Sequence, residues 1–297
     1  MQYTAIAQLV CRLRRNLVGT RSTASLEGFP AAIESGRDAF HRVPLLSGWP
    51  RCVQLCSLTL LFLSLSTPCP AQPANPSVSS TNLAPYETRA QHDPDGIGKF
   101  YQGREIAHVM GHQAADWLER PERDREERPD LLLAALHLQP GEAVADIGAG
   151  TGFYTRRMAK LVGEKGLIYA VEIQQEMLDL LTNKMAELNI HNVKPVLGAI
   201  TDPRLPPGSI DLVLMVDVYH EFDYPREMIE AICRALKPGG RIVFVEFRGE
   251  DPTVPIKPVH KMTVAQVRKE MTLQPLQWTE TSEILPRQHI IIFRKKT

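Results

Sequence analysis

Cysteine is scarce where a fold could use it. The 297-residue chain has five cysteines. Cys11, Cys52, Cys56 and Cys69 all precede Pro70, which leaves Cys233 alone in the part that reads as folded. Disulfides therefore cannot staple that part internally, and no Cys/His spacing resembles a zinc site, so no metal is expected. Net charge is also missing, since 34 basic residues balance 34 acidic ones. The folded part clusters basic residues only at Arg294-Lys-Lys296. With no basic tail and no appended RNA-binding module, nucleic acid is not an expected partner. Internal repeats are absent. The apolar run Val53–Ser66 falls short of the roughly 20 residues that a helix needs to span a bilayer. What remains is an ordinary globular composition, long enough for one large domain or two small ones.

Residues 1–71 read as a leader. Residues 1–51 carry seven arginines, no lysine and three acids, a transit-peptide-like bias. Arg51 and the 53–66 run then have the form of a signal-peptide n-region and h-region, with Ala71 as a cleavage residue. A signal peptide so far from Met1 is unusual, so translation is expected to begin near Val43 or Leu45. Export, as to a periplasm, is favoured slightly over a cytoplasmic or organellar location. Membrane contact is expected only through an uncleaved leader, whose flanking charges would place the following domain outside the cytoplasm. Residues 72–97 are rich in Pro, Ser, Asn, Ala and Gly and read as a flexible linker.

Residues 98–129 are expected to form a helical lid. Tyr101, Arg104, Glu105 and His108 are its candidate site-facing residues, and the charged run from Arg120 to Asp130 is taken as a solvated loop. From residue 130 strand and helix patterns alternate. Strands are expected at 142–147, 167–172, 193–197, 210–216 and 241–247, with helices over 153–162, 174–188 and 225–236 between them. Pro195 removes a ladder donor and argues for an edge position. A helix near 263–271 precedes strands near 278–284 and 289–294, which have no helix-length segment between them. The pattern predicts an α/β fold: a doubly wound, mostly parallel seven-stranded sheet, helices on both faces, and an antiparallel C-terminal hairpin.

The chemistry centres on Val144-Ala-Asp-Ile-Gly-Ala-Gly-Thr-Gly152. A buried strand runs into Gly148, Gly150 and Gly152, which can take positive φ and let a ligand approach the backbone. A helix then opens with its free N–H groups and dipole. A dinucleotide fingerprint would place its third glycine where Phe153 stands, and the carboxylate of Asp146 would repel a pyrophosphate. That carboxylate suits a ligand carrying an amino group and a sulfonium.

The run Asp146-x-Gly148-x-Gly150-x-Gly152 resembles the first motif of class I S-adenosylmethionine (SAM)-dependent methyltransferases, and the likeness extends over about residues 130–297. It implies SAM as cofactor and methyl transfer as the reaction. Asp146, Gly148, Ala149, Gly150 and Gly152 would form the first cofactor segment. Glu172, at the end of the second expected strand, and Ile173 would follow, with Glu172 taking both ribose hydroxyls. Asp202 is the candidate near adenine, although Ala199 stands at the family's usual acidic position. Asp217 ends the fourth strand at the carboxyl edge, where open α/β sheets bind ligands. Tyr219, His220 and His260 are candidate catalytic residues there, and His220 is the favoured base if one is used. Methyl transfer needs positioning first and a base only for some nucleophiles. Asp217-Val-Tyr-His220 does not resemble the Asn-Pro-Pro-Tyr of amide methyltransferases, so a small-molecule acceptor is expected. The alternatives are a non-catalytic SAM-binding regulatory domain on the same fold and, with less support, a nicotinamide-dependent enzyme.

Overall fold

A computed structural model describes residues 85–297. The leader, its 53–66 run and the linker up to residue 84 lie outside these residues. No helix among the described residues is long and apolar enough to cross a membrane.

The folded part opens with a three-stranded antiparallel sheet: β1 (Tyr86–Thr88), β2 (Gly96–Tyr101) and β3 (Arg104–Ala107). This corrects two expectations, since 98–107 is not helical and the end of the 72–97 linker is strand. The physical reason is the turn. Gln102 and Gly103 both adopt positive φ, 50° and 91°, and Tyr101 pairs with Arg104. Two positive-φ residues make the two-residue hairpin connection whose twist matches that of its strands. Short helices α1 (Ala115–Leu118), α2 (Arg123–Glu127) and α3 (Pro129–Ala135) follow. The charged run is not a solvated loop either. Arg123 and Glu127 are buried and joined at 2.8 Å, Arg120 bonds Glu127 at 2.8 Å, and the Arg123 guanidinium lies 4.1 Å from the Phe153 ring centre. Here opposite charges one helical turn apart satisfy each other against aromatic faces.

Beyond this, the alternation of strand and helix holds. β4 (Ala143–Ile147), α4 (Thr155–Val162), β5 (Leu167–Glu172), α5 (Gln175–Glu187), β6 (Val193–Leu197), β7 (Ile210–Val216), α6 (Pro225–Ala235), β8 (Leu236–Phe247), α7 (Val264–Met271), β9 (Leu276–Ser282) and β10 (Gln288–Lys295) complete the chain. The seven strands run in the order β6-β5-β4-β7-β8-β10-β9. The first five are mutually parallel, and β10 is antiparallel to both neighbours. β6, with Pro195, is one edge and β9 the other.

β7 shows why the sheet is covered on both faces. Successive strand side chains point to opposite sides. Val213 and Met215 join Ile229, Ile232 and Phe244 on one face, while Leu212 and Leu214 join Met158, Val162 and Val243 on the other. Each face therefore needs its own helices: α6 and α7 on the first, α3 and α4 on the second. The strand order reverses at β4 and β7, so their carboxyl ends open the crevice where this class of sheet binds ligands.

Candidate active site

The turn after β4 is built from backbone that side chains would spoil. Gly148, Gly150 and Gly152 have φ of 69°, 53° and 84°. The N–H groups of Gly148 and Ala149 both donate to the Val171 carbonyl, at 2.9 and 3.0 Å, which ties the turn to the tip of β5. A Cβ on Gly148 would stand 2.4 Å from Val218 Cγ2, so the turn lies flush against the residue that follows Asp217. A Cβ on Gly150 would meet Leu118 Cδ1 at 2.6 Å.

Asp146 is buried and accepts the Thr155 hydroxyl at 2.6 Å. It fastens the first turn of α4 to the end of β4. Burial pushes its carboxyl up to about 6, against the lowering pull of Thr155 and Arg123. Glu172 ends β5, also buried. Its Oε1 accepts the N–H groups of Ile173 and Gln174 at 2.7 and 3.2 Å, and Oε2 accepts Gly150 N–H at 3.1 Å. Burial raises its pKa, opposed by these three donors. A carboxylate has about four acceptor sites. One therefore remains, on Oε2, for a ribose hydroxyl, and taking both hydroxyls requires Oε1 to release a backbone donor. Ile173 is partly exposed beside it.

Two other candidate cofactor residues are engaged elsewhere. Asp202 is exposed and closes its own turn by accepting Arg204 N–H at 2.7 Å. Asp217 takes a positive φ of 51° and accepts from Gln288 Nε2 at 2.6 Å, while its buried Oδ1 has no protein partner. Burial, with Glu127 and Glu246 nearby, pushes its carboxyl well above the usual range.

The candidate catalytic residues separate. Tyr219 is fully buried, donates its hydroxyl to Glu270 at 2.6 Å and packs edge-on to Phe222 and Phe244. It is a core residue and is not presented to an acceptor, which corrects that expectation. The tight helical turn over Tyr219–Glu221 explains it, because neighbouring side chains on such a turn point to different sides. His220 and His260 do meet, with His220 Nε2 3.2 Å from His260 Nδ1. His220 Nδ1 lies 2.6 Å from Glu246 Oε2, and the other Glu246 oxygen accepts Tyr219 N–H at 3.0 Å. Burial works to lower the His220 pKa, but the Glu246 carboxylate outweighs it and raises it. His260 is lowered to about 4, first by burial and then by His220.

Of the proposed lid residues, Arg104 is a buried brace. It forms a two-pronged pair with Glu270, at 2.9 and 3.1 Å, and donates to the His220 carbonyl at 3.0 Å. The segment that lies on the site is the next one, 110–119. Gln174 bonds Met110 O and His112 N, both at 2.9 Å, Leu118 rests on Gly150, and Glu119 accepts from Thr151 at 2.6 Å and Arg156 at 2.7 and 2.9 Å. Sequence reasoning missed Glu119, Gln174 and Glu221. Only Gln174 carried a signal, as the second residue past the acid at the tip of β5.

A glycine turn that tolerates no Cβ, an acid at the tip of the adjacent strand and a 3-2-1-4-5-7-6 sheet define a SAM-dependent methyltransferase domain. Comparison with known proteins agrees. The family model described as a methyltransferase domain matches residues 138–289, just over half of the chain, and the chain belongs to that family, whose methyl donor is SAM. The ubiquinone/menaquinone biosynthesis C-methyltransferase UbiE of Vibrio vulnificus is 30% identical over 110 residues, covering 37% of this chain and 42% of that protein. The UbiE of Laribacter hongkongensis is 29% identical over 135 residues, covering 44% and 53%. The chain thus spans about half or less of the length of these relatives. A crystal structure of a SAM-dependent methyltransferase from Aquifex aeolicus superposes with a TM-score of 0.60 at 24% identity, covering 63% of this chain and all of that one, which supports the fold.

Proposed function

We propose that this protein transfers a methyl group from SAM to a small-molecule acceptor at the carboxyl edge of β4, β5 and β7. The observation that carries this is the coupling of the glycine turn to Glu172. Gly150 N–H is bonded to the acid that still has an acceptor site for ribose, so one hydrogen-bonded unit shapes the loop and marks the nucleoside position. SAM supplies an electrophilic methyl group. Gly148, Gly150, Gly152 and Glu172 hold the nucleoside end, with Asp146 shaping the loop, and the acceptor meets the edge formed by Val218, His220 and the 110–112 segment. His220 Nε2 carries a lone pair at this edge, because its other nitrogen faces Glu246, and that lone pair lies 3.2 Å from His260 Nδ1. The base role therefore falls to His220, and His260 stands beside it.

The curated relatives are named as C-methyltransferases of quinone biosynthesis, so ubiquinone and menaquinone precursors are the first acceptors to assay. Calorimetry with SAM and S-adenosylhomocysteine, with NAD as control, tests the cofactor. Formation of S-adenosylhomocysteine only when acceptor is added separates an enzyme from a regulatory SAM-binding domain. We also infer, from the 53–66 run, that the leader directs export. Cell fractionation tests this, and a native product found only in the cytoplasm refutes it; intact mass shows whether translation starts inside the leader.

A further inference from the structure

We propose that His220, Glu221 and His260 form a binding site for a divalent transition-metal ion, with Glu246 as the buried carboxylate that orients the first histidine. This inference stands on the geometry of these four side chains and does not rest on the methyl-transfer reading. His220 Nε2, Glu221 Oε1 and His260 Nδ1 form a triangle with sides of 3.2, 3.8 and 3.9 Å. The centre of that triangle is about 2.1 Å from each corner, and zinc binds imidazole nitrogen at ~2.0–2.1 Å and carboxylate oxygen at ~2.0–2.2 Å. The three ligands thus enclose a space of the right size without rearrangement.

The surroundings are those of a prepared site. A metal-bound imidazole characteristically gives its other nitrogen to a carboxylate, which fixes the ring and leaves the ligating lone pair in place. His220 does this with Glu246, and Glu246 is itself fully buried and held by Tyr219 N–H. The turn carrying His220 and Glu221 is braced a third time by Arg104 on the His220 carbonyl. Access comes from the His260 side. The His260 side chain is 24% exposed, whereas those of Glu221 and His220 are 12% and 3% exposed.

Two histidines and one carboxylate suit Zn²⁺, Fe²⁺, Co²⁺ or Ni²⁺ better than Mg²⁺ or Ca²⁺. Three protein ligands leave at least one coordination position open, as in sites where a metal holds a water or a substrate oxygen. The site lies one residue past Val218 and Tyr219 on the turn that packs on the glycine loop. A ligand with an oxygen donor would therefore be held beside the cofactor pocket. With metal bound, His220 is a ligand and not a base.

The test is a Co²⁺ and Zn²⁺ titration of the full chain after chelator treatment, read by calorimetry, visible Co²⁺ absorption and elemental analysis after dialysis. Wild-type protein is expected to bind one equivalent that His260→Ala and Glu221→Gln lose. His260 is the more exposed of the two, and circular dichroism of each variant checks its folding. Glu246→Gln should weaken the metal by about 10- to 100-fold. His191→Ala, an exposed histidine elsewhere, should change nothing. Metal held by the four leader cysteines would persist in every variant and cancel in the difference. No saturable Co²⁺ or Zn²⁺ binding, or binding equal in wild type and His260→Ala, overturns the proposal. SAM calorimetry on the same samples separates that failure from failure of the methyltransferase reading.

Discussion

Replacing Glu172 by glutamine should uncouple cofactor affinity from stability. The carboxylate accepts three backbone N–H groups, two on Oε1 and one on Oε2, and in the proposed function the remaining acceptor site is the one that takes a ribose hydroxyl. Glutamine keeps one acceptor oxygen and puts an NH₂ group against a backbone donor. The ribose then loses a hydrogen bond to a charged group, worth about 1.5–3 kcal/mol, or roughly a 10- to 150-fold rise in Kd. Stability responds differently. Burial raises the Glu172 pKa, so the ionised form is disfavoured by folding, and the neutral amide removes that penalty while losing one backbone hydrogen bond. The two changes oppose each other, and Tm should move by only a few degrees. Calorimetry with S-adenosylhomocysteine reads the first quantity and a thermal scan the second. A Kd within twofold of wild type in a variant of unchanged Tm would refute the assignment of Glu172 to the ribose.

Gly148→Ala should be worse than Gly150→Ala for both folding and SAM binding. The first clash is with Val218 at 2.4 Å and reaches its Cβ at 3.0 Å, whereas the second meets only the tip of Leu118, so Val218→Ala should partly rescue the first and have no effect on the second. Asp146→Asn should stabilise the protein above pH 6 and leave it unchanged below pH 4. The folded pKa of about 6 exceeds the unfolded value near 3.9, so wild type loses stability as pH rises through that window, by up to about 2–3 kcal/mol. Urea midpoints at pH 4 and pH 8 measure it, and a larger loss in the variant at pH 8 would contradict the burial argument. Arg104→Met should cost about 3–5 kcal/mol by leaving the buried Glu270 without its cation, and Arg104→Met with Glu270→Gln, which removes the charge and keeps an acceptor for the Tyr219 hydroxyl, should recover much of that in chemical denaturation. Additive losses in the double variant would show that the pair is not coupled.

Much of the cofactor site follows from local chemistry. Positive φ at Gly148, Gly150 and Gly152 is a backbone requirement of the turn itself, and the alternation of strands and helices placed Glu172 at the tip of the neighbouring strand. The buried run of β7 and the missing donor of Pro195 likewise set a central and an edge strand before any contact was known. Other features depended on partners distant in sequence. Gln102-Gly103 is a hairpin because two short strands pair across it, and Arg123 and Glu127 are buried because Phe153 and Tyr154 offer faces to cover them. Tyr219 and His220 are chain neighbours with opposite fates, one in the core against Glu270 and one at the edge against Glu246. That division exists only because β7 lies beside β8, with the chain after β8 folding back to bring the distant His260 to within 3.2 Å of His220. Spacing in a sequence can announce a turn, but it cannot announce a cluster whose members are joined only through the packing of the strands that carry them.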